Sequence, residues 1–169
     1  IALCGNEFEL SSVPVYSPEQ VTWSVVGGYG ELDDPTNYNT WVRNLARGEN
    51  VLRWTVESPN CSAYDDIVIN NITPTQAVTA PDKEVCQDFT TITGNDPSYG
   101  TGEWIKVTGP PSIIIETPTE NSTVVRYLGT GPNKFAWVIL DEDTGCATSD
   151  TITVTNSSTT AFAGLDQET

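Results

Sequence analysis

The chain has 169 residues with 23 acidic against 7 basic side chains, no histidine, and a formal net charge of −16. Nucleic acid and anionic membrane surfaces are disfavoured as partners, because binding phosphate draws on Lys and Arg to replace released counterions, and no apolar run approaches the length that spans a bilayer. The lack of histidine weighs against acid–base catalysis and the common zinc sites, and no serine has a base beside it, so the chain is expected not to be an enzyme.

In chain order, Cys4 comes first, and then Val21, Trp23 and Val25 form one face of a strand. Gly27-Gly28 and Asp33-Asp34-Pro35 punctuate the chain beyond it. Leu52, Trp54 and Val56 alternate with Val51, Arg53 and Thr55, a period of two that buries one side of a pleated strand. After Cys61, Ile67 and Ile69 alternate with Asp66, Val68 and Asn70; Pro74 and Pro81 then bracket a junction. Beyond Cys86 and the turn Gly94-Asn95-Asp96-Pro97, the stretch Trp104-Ile105-Lys106-Val107 alternates less regularly, which points to a bulge or an edge position. Gly109-Pro110-Pro111 breaks the chain, Phe135, Trp137 and Ile139 alternate again, and after Cys146 so do Ile152 and Val154. No stretch sustains helical periodicity. About seven short strands in roughly 80 residues predict an immunoglobulin-like sandwich.

The chain repeats itself. Arg43, Leu45, Gly48, Asn50 and Trp54 recur 83 positions later as Arg126, Leu128, Gly131, Asn133 and Trp137. Cys61, Asp65, Ile67 and Asn71 recur as Cys146, Asp150, Ile152 and Asn156, while Trp23, Val26 and Gly28 recur as Trp104, Val107 and Gly109. Cys4 matches Cys86, and Ala77 and Asp82 are echoed by Ala161 and Asp166. The expected organisation is a first copy over 1–76, a second over 77–160 and the start of a third over 161–169, an excerpt of a longer array. The fold class is all-β: two tandem immunoglobulin-like or PKD-like sandwiches, each with one internal disulfide.

Two widely spaced cysteine pairs suggest an oxidising, extracellular compartment. Four cysteines allow three connectivities. The repeat chooses among them: a bridge inside each copy, Cys4–Cys61 and Cys86–Cys146, is the only pairing every copy of an array can share, and each would close a long loop and contribute roughly 4 kcal/mol. Trp23 with Trp54 and Trp104 with Trp137 are read as core pins under the disulfides, with a carbohydrate-stacking platform as the alternative. Trp41 stands where the second copy has the smaller Val124. Its readings are local repacking, an interdomain contact, or an exposed sugar-binding surface.

The acidic clusters Asp33-Asp34, Asp65-Asp66 and Asp141-Glu142-Asp143 lack EF-hand spacing and read as solvated loops. No cofactor is expected and no metal ligands are assigned. Calcium is a candidate at a junction holding Asp82 or Asp166, where a turn held by a side-chain hydrogen bond is the alternative. Asn71-Ile72-Thr73 and Asn121-Ser122-Thr123 fit the N-glycosylation pattern, and residues 155–160 read as a polar linker.

The pattern Ala-x-x-x-x-Asp, Cys, Gly102-Glu103-Trp104, Gly-x-Asn-x-x-x-Trp, Cys-x-x-x-Asp resembles the repeats of giant Bacteroidetes surface proteins, the gliding-motility adhesins of the SprB type exported by the type IX secretion system. The resemblance covers essentially the whole chain. It departs at Ala80-Pro81, where the third copy has Gly164-Leu165, and at Gln20-Val21-Thr22, where the second copy has Gly102-Glu103 before its Trp. Asp150-Thr151-Ile152 also resembles an O-glycosylation site of that phylum. The resemblance implies a structural and adhesive segment of a cell-surface filament, with neighbouring repeats of the same chain as partners and surface polysaccharide or the substratum as a further candidate. The rival readings are a polysaccharide-binding module and a spacer of a secreted hydrolase.

Overall fold

A computed structural model describes residues 1–14 and 19–159 of the chain. It divides into two compact units, Ile1–Thr73 and Pro74–Thr169. The expected third copy, with Asp166, lies outside the described residues.

Among the described residues the first unit has seven strands: β1 (Ala2–Leu3), β2 (Phe8–Ser11), β3 (Gln20–Gly27), β4 (Glu31–Leu32), β5 (Asn39–Arg43), β6 (Gly48–Ser58) and β7 (Cys61–Asn71). One sheet has the order β1-β7-β6-β3 and the other β2-β5-β4. The second unit repeats this strand for strand: β8 (Lys83–Val85), β9 (Phe89–Thr93), β10 (Thr101–Thr108), β11 (Ile114–Ile115), β12 (Ser122–Arg126), β13 (Gly131–Leu140) and β14 (Ala147–Asn156). Its sheets run β8-β14-β13-β10 and β9-β12-β11. In each unit the first strand pairs parallel with the last and the other pairings are antiparallel. Two such sheets closed on one core make an immunoglobulin-like, PKD-like sandwich.

Burial follows the period-two pattern. In β6, Asn50, Leu52 and Trp54 are buried while Val51, Arg53 and Thr55 are half-buried. The first core gathers Leu10, Trp23, Val42, Leu45, Leu52, Trp54 and Ile69. The second puts Ile92, Trp104, Val125, Leu128, Phe135, Trp137 and Val154 at the matching places, with Ile113, Ile139 and Ile152 buried beside them. The irregularity expected at Trp104–Val107 is a bulge between Lys106 and Thr108 on an edge strand. The first copy has the same bulge between Val25 and Gly27. There the regular run Val21, Trp23, Val25 ends just before the bulge and conceals it. Val26 and Val107 are the bulged residues, and both are exposed.

The expected disulfides need correction. Cys4 and Cys146 are disulfide-bonded, whereas Cys61 and Cys86 are free and exposed. Register explains why neither intra-copy bridge forms. Leu3 pairs with Asn71 at the end of β7, so Cys4 lies level with the residue after that strand, while Cys61 begins it. Roughly eleven strand residues, or about 35 Å, separate the two. Val85 likewise pairs with Asn156 at the end of β14, which places Cys86 far from Cys146 just before Ala147. A disulfide requires Cα atoms within about 7 Å.

Candidate functional site

The two tryptophan pairs sit in the cores. Trp23 lies opposite Trp54 and Trp104 opposite Trp137 across adjacent strands. Their ring centroids are 5.0 and 5.2 Å apart, with planes tilted by 44° and 42°. This is the tilted stacking that aromatic quadrupoles favour, and it offers no platform to a sugar. Trp104 Nε1 donates to Asn121 O (3.3 Å) and Trp137 Nε1 to Asn95 O (3.1 Å). Trp23 Nε1 is buried with no hydrogen-bond partner among the described residues. Gly102 shows why the second copy has glycine two residues before its Trp: a Cβ there would lie 2.1 Å from the Trp137 ring.

A buried amide recurs in both copies, and the sequence signals it through Gly-x-Asn. Asn50 Nδ2 donates to Ala46 O (2.8 Å), Gly48 O (3.0 Å) and Ile69 O (3.4 Å), while its Oδ1 accepts from Tyr29 N (3.0 Å). Asn133 Nδ2 donates to Gly129 O (2.8 Å), Gly131 O (3.0 Å) and Val154 O (3.3 Å), and its Oδ1 accepts from Gly129 N (3.1 Å). Each amide thereby satisfies loop carbonyls that burial would otherwise leave unpaired. Gly28 and Gly109 recur with it. Both have positive φ, and a Cβ would approach the Asn Oδ1 to 2.5 and 2.8 Å. A second pair, Asn71 and Asn156, donates to Leu45 O (2.9 Å) and Leu128 O (3.1 Å) at the ends of β7 and β14. Asn71 is 4% exposed and its Oδ1 accepts from Thr73 N and Oγ1, so this glycosylation pattern is spent on structure.

The outer face of each three-stranded sheet carries an arginine between a carboxylate and an aromatic ring. Arg43 Nε donates to Asp33 Oδ1 (3.0 Å) and its Nη1 to Glu7, and the guanidinium lies 5.5 Å from the Trp41 ring centroid. Arg126 Nε donates to Glu116 and its guanidinium lies 5.6 Å from Phe89. Trp41 and Phe89 are 39% and 43% exposed. Phe89 faces Arg126 directly, in the position Glu7 holds in the first copy, while Val124 replaces Trp41. The aromatic partner therefore comes from β5 in one copy and β9 in the other. Position-by-position matching of the repeat missed this exchange.

Several other acidic residues have defined partners. Arg53 clamps Asp66 (Nε–Oδ1 2.8 Å, Nη2–Oδ2 2.9 Å) and stacks 3.7 Å over Tyr64; its hydrogen bonds hold the Asp66 carboxyl below its ordinary range. In the second copy Ala136, Thr151 and Ser149 take these places, so the cluster belongs to one copy alone. Asp150 accepts from Thr79 N (2.7 Å) and Oγ1 (2.9 Å), which lowers its pKa and pins the incoming chain to β14. Asp82 Oδ1 accepts from Thr153 N (2.8 Å) and so serves the backbone. A cleft in the second unit is lined by Asp96, Glu103, Glu120 and Glu142 beside Trp137. Among the described residues no group of three or more Asp, Glu, Cys or His is placed to hold a metal ion. No described helix is long and apolar enough to cross a membrane.

No protein-family model matches the chain, and no curated protein matches it. Solved structures do. The chain is similar to the PKD domain of the KIAA 1837 protein, with 25% identity and a TM-score of 0.42 over 52% of this chain and 93% of that one. The titin I-band fragment I67–I69 matches with 12% identity and a TM-score of 0.35 over 92% of this chain and 61% of that one. A SusE-like, surface-located polysaccharide-binding protein from the heparin utilisation locus of Bacteroides thetaiotaomicron matches with 9% identity and a TM-score of 0.39, over 93% of this chain and 32% of that one.

Proposed function

We propose that this chain is a structural and adhesive segment of a bacterial cell-surface filament, non-catalytic, serving surface attachment and gliding motility. One observation carries the reading: the two copies share every strand, both sheet orders and the buried asparagine locks. The surface arginine clamp is rebuilt from different residues in the second copy, and the Arg53–Asp66–Tyr64 cluster is absent from it. What recurs is the scaffold, as expected of modules whose task is reach and resistance to force. Disulfide-bonded Cys4 and Cys146 fit an extracellular or secreted setting.

The test is genetic and optical. Antibodies raised against this chain should label filaments on intact cells, and in-frame removal of the array should abolish attachment and spreading on agar. Labelling confined to the cell interior, or unimpaired attachment, would overturn the reading.

A second reading, polysaccharide binding, draws on exposed Trp41, which the second copy lacks. Affinity electrophoresis in gels containing soluble polysaccharides distinguishes the two. The stalk reading expects no retardation, whereas binding expects retardation that Trp41→Ala removes.

A further inference from the structure

Positive and negative charge are placed differently along the chain. Of its seven basic residues, Arg43, Arg53, Lys83, Lys106, Arg126 and Lys134 lie in β-strands, whose backbones are already paired. Most of their side chains are engaged as well: Arg43 with Asp33 and Glu7, Arg53 with Asp66, Arg126 with Glu116, Lys83 with Thr91 O, and Lys106 with Pro110 O (3.0 Å). Acidic residues instead populate turns and loops, among them Asp33, Asp34, Asp96, Glu120, Glu142 and Asp143. Arg47 is the one basic residue outside a strand, and it is exposed.

Exposed loops are where endopeptidases nick folded proteins. To be cut, a loop must lift away and lie extended across the enzyme's cleft. The loop around Arg47 is tied down against this. Leu45 N donates to Asn6 O (2.8 Å) and Ala46 N to Tyr29 O (3.2 Å). Leu45 O accepts from Asn71 Nδ2 (2.9 Å), while Ala46 O and Gly48 O accept from Asn50 Nδ2 (2.8 and 3.0 Å). Arg47 Nη1 itself donates to Thr73 O. Asn44 and Gly48 have φ of 55° and 95°, left-handed rather than extended. Leu45, Asn50 and Asn71 are buried, so lifting the loop exposes all three.

We propose that the chain is built to withstand endopeptidases that cut after lysine or arginine, and that Asn50 and Asn71 seal the one loop such an enzyme could engage, at Arg47–Gly48. The reaction resisted is hydrolysis: water adds across that peptide bond, leaving a carboxylate on Arg47 and an amine on Gly48. The second copy has Thr130 at the place of Arg47, in a loop tied the same way by Asn133 and Asn156.

Trypsin digestion of the whole chain, followed by mass spectrometry, tests this, each bond being compared with an unstructured synthetic peptide of the same local sequence. Arg47–Gly48 should be cut at least 100-fold more slowly in the chain than in its peptide. A rate within tenfold of the peptide's would overturn the proposal. Asn50→Ala should speed this cut at least tenfold while cutting at Lys106 and Arg126 stays unchanged, and adding Arg47→Gln should remove it. A folded Asn50→Ala chain cut no faster would refute the seal. Where Asn50→Ala unfolds the first unit, cutting at Arg43, Arg47 and Arg53 rises together, and the second copy decides. Thr130 is exposed, so Thr130→Arg leaves the core intact, as circular dichroism checks. It puts a base in the loop locked by Asn133, and should be as protected as Arg47. Cutting after residue 130 within tenfold of the peptide rate would overturn the proposal.

Discussion

The two copies keep the same skeleton with different skins. Asn50 and Asn133 bind matching loop carbonyls with nearly identical distances, and Gly28 and Gly109 make room for them. On the outer face Glu7 with Trp41 gives way to Phe89 with Val124, yet an arginine stays seated on an exposed ring in both. Elements that satisfy buried polar groups are fixed residue by residue, because an unmade buried hydrogen bond costs its full desolvation. A surface cluster can be rebuilt from another strand, since solvent covers whatever the cluster leaves unmade.

The sharpest way to break this comparison is the core tryptophan. Trp137 is 1% exposed, holds Asn95 O and is gripped by Gly94 and Gly102; Trp54 is 8% exposed. Trp137→Ala should cost the second copy about 3–5 kcal/mol, and Trp54→Ala should cost the first copy less, as read from urea unfolding of each copy. Next come the amide locks: Asn50→Ala and Asn133→Ala should each cost about 2–3 kcal/mol, since carbonyls are left unpaired in both copies. Unequal losses there would mean that the locks are not equivalent. Gly102→Val installs the residue the first copy uses at this place, Val21, yet should destabilise the second by about 1–3 kcal/mol through overpacking against Trp137.

Acid should separate the copies more gently. Glu31, Asp34 and Asp66 in the first copy have lowered pKa values, held by Tyr29, Thr36 and Arg53 respectively, against Asp150 in the second. A carboxyl whose folded pKa is depressed contributes stability that is present above its unfolded pKa, about 4, and is lost as pH falls through the folded value. Below about pH 4 the first copy should therefore lose stability faster than the second, measured by amide hydrogen exchange resolved by copy. Faster loss in the second copy would contradict the assignment of these partners.

Much of the fold was legible because alternation and the 83-residue recurrence expose the strands and the repeat directly. The disulfide partners were not. Choosing Cys4–Cys61 needs the register of β1 against β7, which a parallel pair between chain-distant segments does not write into local sequence. The arginine clamp was hidden for a related reason: Trp41 and Phe89 converge on equivalent arginines from different strands, and alignment compares positions rather than neighbours.

The claim that these copies are independent load-carrying modules is tested most directly by pulling the reduced chain from its two ends in a single-molecule force experiment. Two separate unfolding steps are expected, one per copy, each lengthening the chain by roughly 20–25 nm for about seventy residues extended at some 3.5 Å apiece. A single step spanning both copies, or extension without a force peak for either, would contradict it.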